Sequence, residues 1–261
     1  MSLVARDVSI RFGGVAALSG VGVEVSAGAV QGVIGPNGSG KSTLFNCLTG
    51  FARPDSGHVS VDGTDLSRVP AHRRIGLGIA RTFQTPRFDP RVTVWQAVAC
   101  GFSPVASAGL LSSALWPPWV RARERRVGEG VARLLDRFGL AEERHAQIGE
   151  LSLGHVRLVE VARAMAMSPR YLLLDEPAAG LGEGEQRLLA DELRRLASEG
   201  VGVLIVEHNF DLVLDLCDRI LVLSGGRVLL DDRPGTVAAD ERVRRIYLGY
   251  AADEDEEVPA S

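Results

Sequence analysis

Lysine is almost missing from this chain. Of its 29 Lys and Arg residues only Lys41 is a lysine, so the one place that keeps a compact ammonium is a place where the wider guanidinium fork would not serve. Cysteine is nearly as scarce. Cys47, Cys100 and Cys217 stand far apart with no metal-ligand spacing, and the simple reading is a reduced, cytoplasmic compartment. The N-terminus lacks the basic-then-apolar order of a signal peptide. No membrane span is evident either. Residues Val92 to Val120 carry no charge, but Pro104, Pro117 and Pro118 interrupt them and Gln96 and several serines dilute them; the stretch reads as a candidate docking face, not a spanning helix. Nor is there an excess of positive charge: the formal balance of −4 gives no pull toward nucleic acid.

What is present suffices for a substantial core, with 46% hydrophobic residues in 261. Short apolar alternation predicts antiparallel strands over Leu3 to Ile10 and Gly22 to Ser26. Val30 to Ile34 leads through a glycine-rich turn into a helix from Lys41 to Thr49, stopped by Gly50, and Val59 to Gly63 reads as a strand and turn. Helical patterns then dominate, at Arg121 to Phe138 and Val156 to Met167. After Pro169, strands and helices alternate: Tyr171 to Leu174 and Val201 to Val206 as buried strands, Glu183 to Ser198 and Phe210 to Leu216 as helices. A hairpin follows, Arg219 to Leu223 and Arg227 to Leu230 about Ser224-Gly225-Gly226. No repeat appears. The expectation is an α/β core at 1–250, an antiparallel β portion at its N-terminus, a helical insertion at about 87–165, and an acidic tail, 251–261, carrying Asp253-Glu254-Asp255-Glu256-Glu257.

Gly35-Pro36-Asn37-Gly38-Ser39-Gly40-Lys41-Ser42-Thr43 fits G-x-x-x-x-G-K-[ST] between a predicted strand and helix. Glycines let the backbone wrap an anion with inward N–H groups, and the helix start adds about half a positive charge. Lys41 is suited to neutralise β- and γ-phosphates and the Ser42 hydroxyl to ligate Mg²⁺. Leu172-Leu173-Leu174-Asp175-Glu176-Pro177 places two carboxylates at the end of a buried strand, where ligands gather in open α/β sheets. Asp175 is suited to Mg²⁺, and Glu176 to activating a water. Val201 to Glu207 repeats the pattern and presents His208 at a neighbouring strand end, as a candidate γ-phosphate contact.

These pieces, in this order, resemble the ATP-binding cassette family over nearly the whole chain. Leu151-Ser152-Leu153-Gly154-His155 is similar to the family's signature loop, usually Leu-Ser-Gly-Gly-Gln, with Leu153 and His155 as departures. The resemblance implies a P-loop NTPase fold of the cassette type, ATP and Mg²⁺ as ligands, and two cassettes sandwiching two nucleotides. Each site is then completed by the partner's signature loop, here Ser152, Leu153, Gly154 and His155. It also implies that Gln84, in Arg81-Thr82-Phe83-Gln84, contacts Mg²⁺ and the water, and that Phe12, in Arg11-Phe12-Gly13-Gly14, stacks on adenine. Ala179-Gly180-Leu181 resembles the D-loop, with Gly182 where a polar residue is common.

Arg-Phe-Gly-Gly, Ile79 to Gln84, Glu176 to Leu181 and the late Tyr247-Leu248-Gly249 are similar to importers of branched-chain, hydrophobic amino acids. Urea or short-chain amide importers are the neighbouring alternative. The resemblance implies a second cassette, identical or related, two transmembrane permease subunits, a solute-binding protein acting indirectly, and a place on the cytoplasmic face of the membrane. Competing cassette classes fit less well. DNA-repair ATPases interrupt the cassette with coiled coils, whereas only about 110 residues separate Lys41 from Ser152, without sustained heptads. Translation-associated proteins carry two cassettes, and a purely regulatory module would be expected to have lost Glu176 or His208.

Overall fold

The apolar alternation of the first 26 residues is satisfied by self-pairing. β1 (Ser2–Phe12) and β2 (Val15–Ser26) form an antiparallel hairpin with Leu3 opposite Val25 and Phe12 opposite Val15. The chain then runs through β3 (Val30–Ile34) and α1 (Lys41–Thr49) and returns as β4 (Ser56–Val61) and β5 (Thr64–Asp65), giving a sheet ordered β2-β1-β4-β5. This computed structural model describes residues 1–83, 88–102 and 118–246. Gln84, Tyr247-Leu248-Gly249, the acidic run Asp253 to Glu257 and part of the uncharged Val92 to Val120 stretch lie outside the described residues.

The second sheet is mostly parallel, in the order β10-β9-β3-β8-β7-β6. Its strands β6 (Ile79–Arg81), β7 (Tyr171–Asp175), β8 (Gly202–Val206) and β9 (Arg219–Ser224) join β3 in parallel, and β10 (Arg227–Asp232) closes one edge antiparallel to β9. Between β6 and β7 lie α3 (Val94–Ala99), α4 (Pro118–Arg137) and α5 (Leu153–Ala166); α2 (Ala71–Arg74) precedes β6. The helices α6 (Glu183–Ser198), α7 (Phe210–Leu216) and α8 (Pro234–Ala239) follow. β6 was invisible to pattern reading because three residues are too few to show alternation.

The parallel strands are apolar on both faces, and their period of two sorts side chains into two cores. Leu172, Leu174, Val203, Ile205, Ile220 and Val222 pack with α3 to α8. Tyr171, Leu173, Leu204, Val206, Leu221 and Leu223 pack instead with α1 and the antiparallel sheet. Arg74 secures α1 from behind. It is buried, and its guanidinium donates to Cys47 O (2.9 Å), Leu48 O (2.7 Å), Leu66 O (3.0 Å) and Val69 O (3.0 Å). Two of these carbonyls belong to the last turn of α1, where orphan acceptors and the negative end of the helix dipole favour a cation.

Register sets the site. Val33 pairs with Val206, and Val206 with Asp175. Three strands therefore end level, delivering Gly35, Glu176 and Glu207-His208 to one sheet edge.

Candidate active site

The turn between β3 and α1 can be built only with glycine at its two tightest points. Gly35 has φ +150°, and a Cβ there would lie 2.2 Å from Leu223 O. Gly40 has φ +105°, with Ala17 O 2.7 Å from the same hypothetical atom. The backbone is thus free to curl as a cradle. Lys41 is buried at the start of α1 and its Nζ donates to Gly35 O (2.6 Å) and Pro36 O (3.0 Å), bending the ammonium back over the loop. Burial pushes its pKa down, opposed by the charges of Glu176 and Asp175. Ser39 Oγ is buried without a hydrogen-bond partner, a state that costs free energy unless an acceptor or donor arrives.

Facing the loop, Asp175 closes β7. It is buried, and its N–H donates to Thr82 Oγ1 at 3.1 Å. Burial, then the like charge of Glu176, raises its pKa, against the pull of Arg81, Lys41 and Arg157. Glu176 turns the chain out of the strand with φ +50°, uncommon for a residue with a side chain. Its N–H donates to Val206 O (2.9 Å), its carbonyl accepts from Arg157 Nη1 (2.8 Å), and its Oε1 lies 3.0 Å from His208 Nε2. Adjacent acids in sequence thus have separate surroundings, one buried beneath the loop and one on the cleft beside a histidine. Glu207 is buried and committed elsewhere, its Oε1 accepting from Ala178 N (2.7 Å) and its Oε2 from His208 N (3.2 Å); burial raises its pKa.

Asn37, Gly38, Ser39, Gly40, Lys41, Ser42 and Thr43 share a cleft of 210 Å³ with Ala17, Glu176 and His208. Phe12 lies on the strand paired with the one that supplies Ala17 to that cleft. The ring is 54% exposed at the end of β1, opposite Val15 in the hairpin. It is not a core aromatic.

Leu151-Ser152-Leu153-Gly154-His155 occupies a different surface. Ser152 is the N-cap of α5, its hydroxyl accepting from His155 N at 3.1 Å, and it remains exposed. Capping and ligand contact are therefore not exclusive here. Leu153 is 61% exposed. Gly154 packs so close to the following loop that a Cβ would meet Gly180 O at 2.8 Å. His155 is held by two acids, Nδ1 2.8 Å from Glu143 Oε1 and Nε2 2.8 Å from Glu185 Oε1. Gly182 starts α6 with its N–H donated to Glu185 Oε2 at 2.7 Å. Gln84 lies outside the described residues; the adjoining Phe83 N donates to buried Glu160 Oε1 at 2.9 Å.

Sequence reasoning missed Arg157, Thr82 and Glu207. A motif marks residues that face a ligand, and these three face the backbone and side chains of the ones that do.

An anion cradle set opposite an ordered carboxylate is the construction of phosphate-loop nucleoside triphosphatases, and the fold and cleft place the chain in that class. The profile of the family described as ABC transporter matches residues 18–179. The high-affinity branched-chain amino acid transport ATP-binding protein BraF of Pseudomonas aeruginosa is 37% identical over 250 residues, 95% of this chain and 98% of that protein. The corresponding LivG protein of Escherichia coli strain K12 is 34% identical over the same length. A crystal structure of the ADP conformation of an ATP-binding cassette of an ABC transporter superposes with TM-score 0.80 at 32% identity, covering 95% of this chain and 99% of that one. The chain belongs to the ABC transporter family, and its cassette is an ATPase that binds nucleotide.

Proposed function

We propose that this chain energises an importer of branched-chain or other hydrophobic amino acids, as the ATP-hydrolysing subunit on the cytoplasmic face of the membrane. The observation that carries the ATP-hydrolysing part of the reading is the cleft, where Lys41, the phosphate loop, Glu176 and His208 converge; the likeness to the branched-chain amino acid transport ATP-binding proteins supports the importer part. The cradle and the unpartnered Ser39 hydroxyl suit a polyphosphate. Phe12 supplies an exposed face for adenine. Ser42 and Asp175, a hydroxyl and a carboxylate, suit a hard cation such as Mg²⁺, with Gln84 as a further ligand. Such an ion, when bound, neutralises charge on the transferred phosphoryl group.

Glu176 orients the attacking water and takes its proton, while His208 holds the carboxylate and contacts the γ-phosphate. The signature loop 152–155 meets the nucleotide of a second cassette through the Ser152 hydroxyl and the Gly154 amide, and ATP-driven closure of the pair moves two permease subunits that a solute-binding protein supplies. No helix among the described residues is long and apolar enough to cross a membrane. A 390 Å³ pocket where Phe51, Ile75, Ile79, Phe83 and Met167 meet Arg74, Arg81 and Arg163, with exposed Phe51 and Ile75, offers a largely apolar, basic-rimmed seat for a permease segment beside α5. The cassette spans 1–250 with its helical subdomain at about 87–165, and 251–261 is an appended tail.

The test is ATP turnover in vesicles holding the chain with its permeases and solute-binding protein. Leucine, isoleucine or valine should stimulate phosphate release. Stimulation by urea or amides alone would overturn the amino-acid assignment.

A further inference from the structure

We propose that Arg157 and His155, in the first two turns of α5, are positioning residues for Glu176, strapping the signature loop to the catalytic turn of the same chain. The inference rests on the functional reading above, in which Ser152 meets a partner's nucleotide and Glu176 activates water.

Two routes make the strap. The direct one is Arg157, whose Nη1 donates to Glu176 O at 2.8 Å. With Glu176 N already given to Val206 O, both main-chain groups of this left-handed residue are held, which fixes the point and direction from which its side chain leaves the chain, and His208 meets the carboxylate at its end. The indirect route starts at His155. Its Nε2 meets Glu185 Oε1, the other oxygen of Glu185 takes Gly182 N, and Gln186 Nε2 donates to Leu181 O at 3.0 Å. Gln186 Oε1 accepts from Asn209 Nδ2 at 3.2 Å, and Asn209 follows His208, the partner of Glu176. Both routes leave the first turns of α5 and end on one residue, the direct one on the main-chain carbonyl of Glu176 and the indirect one, through His208, on its carboxylate.

Stability alone does not account for these side chains. His155, Glu143 and Glu185 are 29%, 32% and 33% exposed, and ion pairs so open to water contribute little. Arg157 sets a cation near the positive end of α5, whose first turn holds no acid to offset it, contrary to what the helix dipole favours. What both side chains do supply is fixed relative placement of two loops.

The experiment compares Arg157→Met, Arg157→Lys, His155→Ala and His155→Gln in the purified full chain, reading kcat and KM for Mg-ATP, affinity for a fluorescent ATP analogue, and thermal stability. Arg157→Met should lower kcat about 10–100-fold, the scale of a small misplacement of a reacting group, with KM and analogue affinity within about twofold. Arg157→Lys, which keeps one donor, should recover part of the loss, and His155→Gln should outperform His155→Ala. Wild-type kcat in Arg157→Met and His155→Ala would overturn the strap. So would losses that track thermal stability or analogue affinity and ignore the conservative replacements. A wild-type chain that neither binds nor hydrolyses ATP would overturn the ATPase reading itself, and the strap with it.

Discussion

At the phosphate loop, Lys41, Ser39 and Asp175 are buried by residues of this chain. At the start of α5, Ser152 and Leu153 are exposed and line no part of the same cleft. The first region is preorganised: charge is desolvated, loop carbonyls fix the ammonium, and the register of three strands places the acids. The second offers a capped helix end to something outside the chain. A preorganised half and an open half suit the two-cassette site proposed above.

The sharpest way to break that contrast is Glu176→Gln. It keeps the fold and the His208 neighbour but removes the base, so turnover should fall about 10²–10⁴-fold while ATP still binds and paired cassettes accumulate. Phosphate release and size-exclusion chromatography with ATP check both halves of the statement, and wild-type turnover would remove Glu176 from its role. Ser152→Ala probes the open half. Loss of the cap should cost about 1 kcal/mol, whereas turnover should fall about 10²–10³-fold on the loss of one oxyanion contact across the pair. ATP affinity of the single chain should not change. An equal loss of affinity and turnover would mean that Ser152 acts only as a cap.

The smallest effect concerns Asp175, whose pKa is raised by burial. A carboxyl of this kind binds its proton more tightly folded than unfolded. Its contribution to stability is therefore complete below the unfolded pKa and is lost as pH rises through the folded one. Asp175→Asn mimics the protonated form at every pH. Without nucleotide it should melt a few degrees higher at neutral pH, at about 2–4 °C per kcal/mol, and the gap should close on acidification into the carboxylate range. Mg-ATP should stabilise the wild type more than the variant. Thermal melts across pH, with and without Mg-ATP, read both effects.

The two regions also differed in how far sequence could be read. The loop from Gly35 to Thr43 announced both its structure and its chemistry, because a phosphate cradle needs glycines and an ammonium at fixed spacing. The acids at 175 and 176 were legible as a strand end. Their separate environments were not, since these depend on Thr82, Arg157 and Val206, far away in the chain. His155 looked like a plain departure from a motif; its partners, Glu143 and Glu185, lie on segments that only folding brings together. Phe12 could have been core or surface, and the two-residue turn at Gly13-Gly14 left its ring outside. β6 was lost for want of length, although it carries the chain directly to Thr82.

The large sheet is also a partition. α1, which begins with Lys41, shares its hydrophobic compartment with the antiparallel strands, and α3, α4 and α5 share theirs with the opposite face. Close-packed layers resist deformation but slide as units. A push arriving on the helical flank can thus carry the α5 end and its strapped Glu176 turn together while α1 keeps its grip on the triphosphate, because a wall of valine, leucine and isoleucine stands between the hand that holds the fuel and the arm that delivers the stroke.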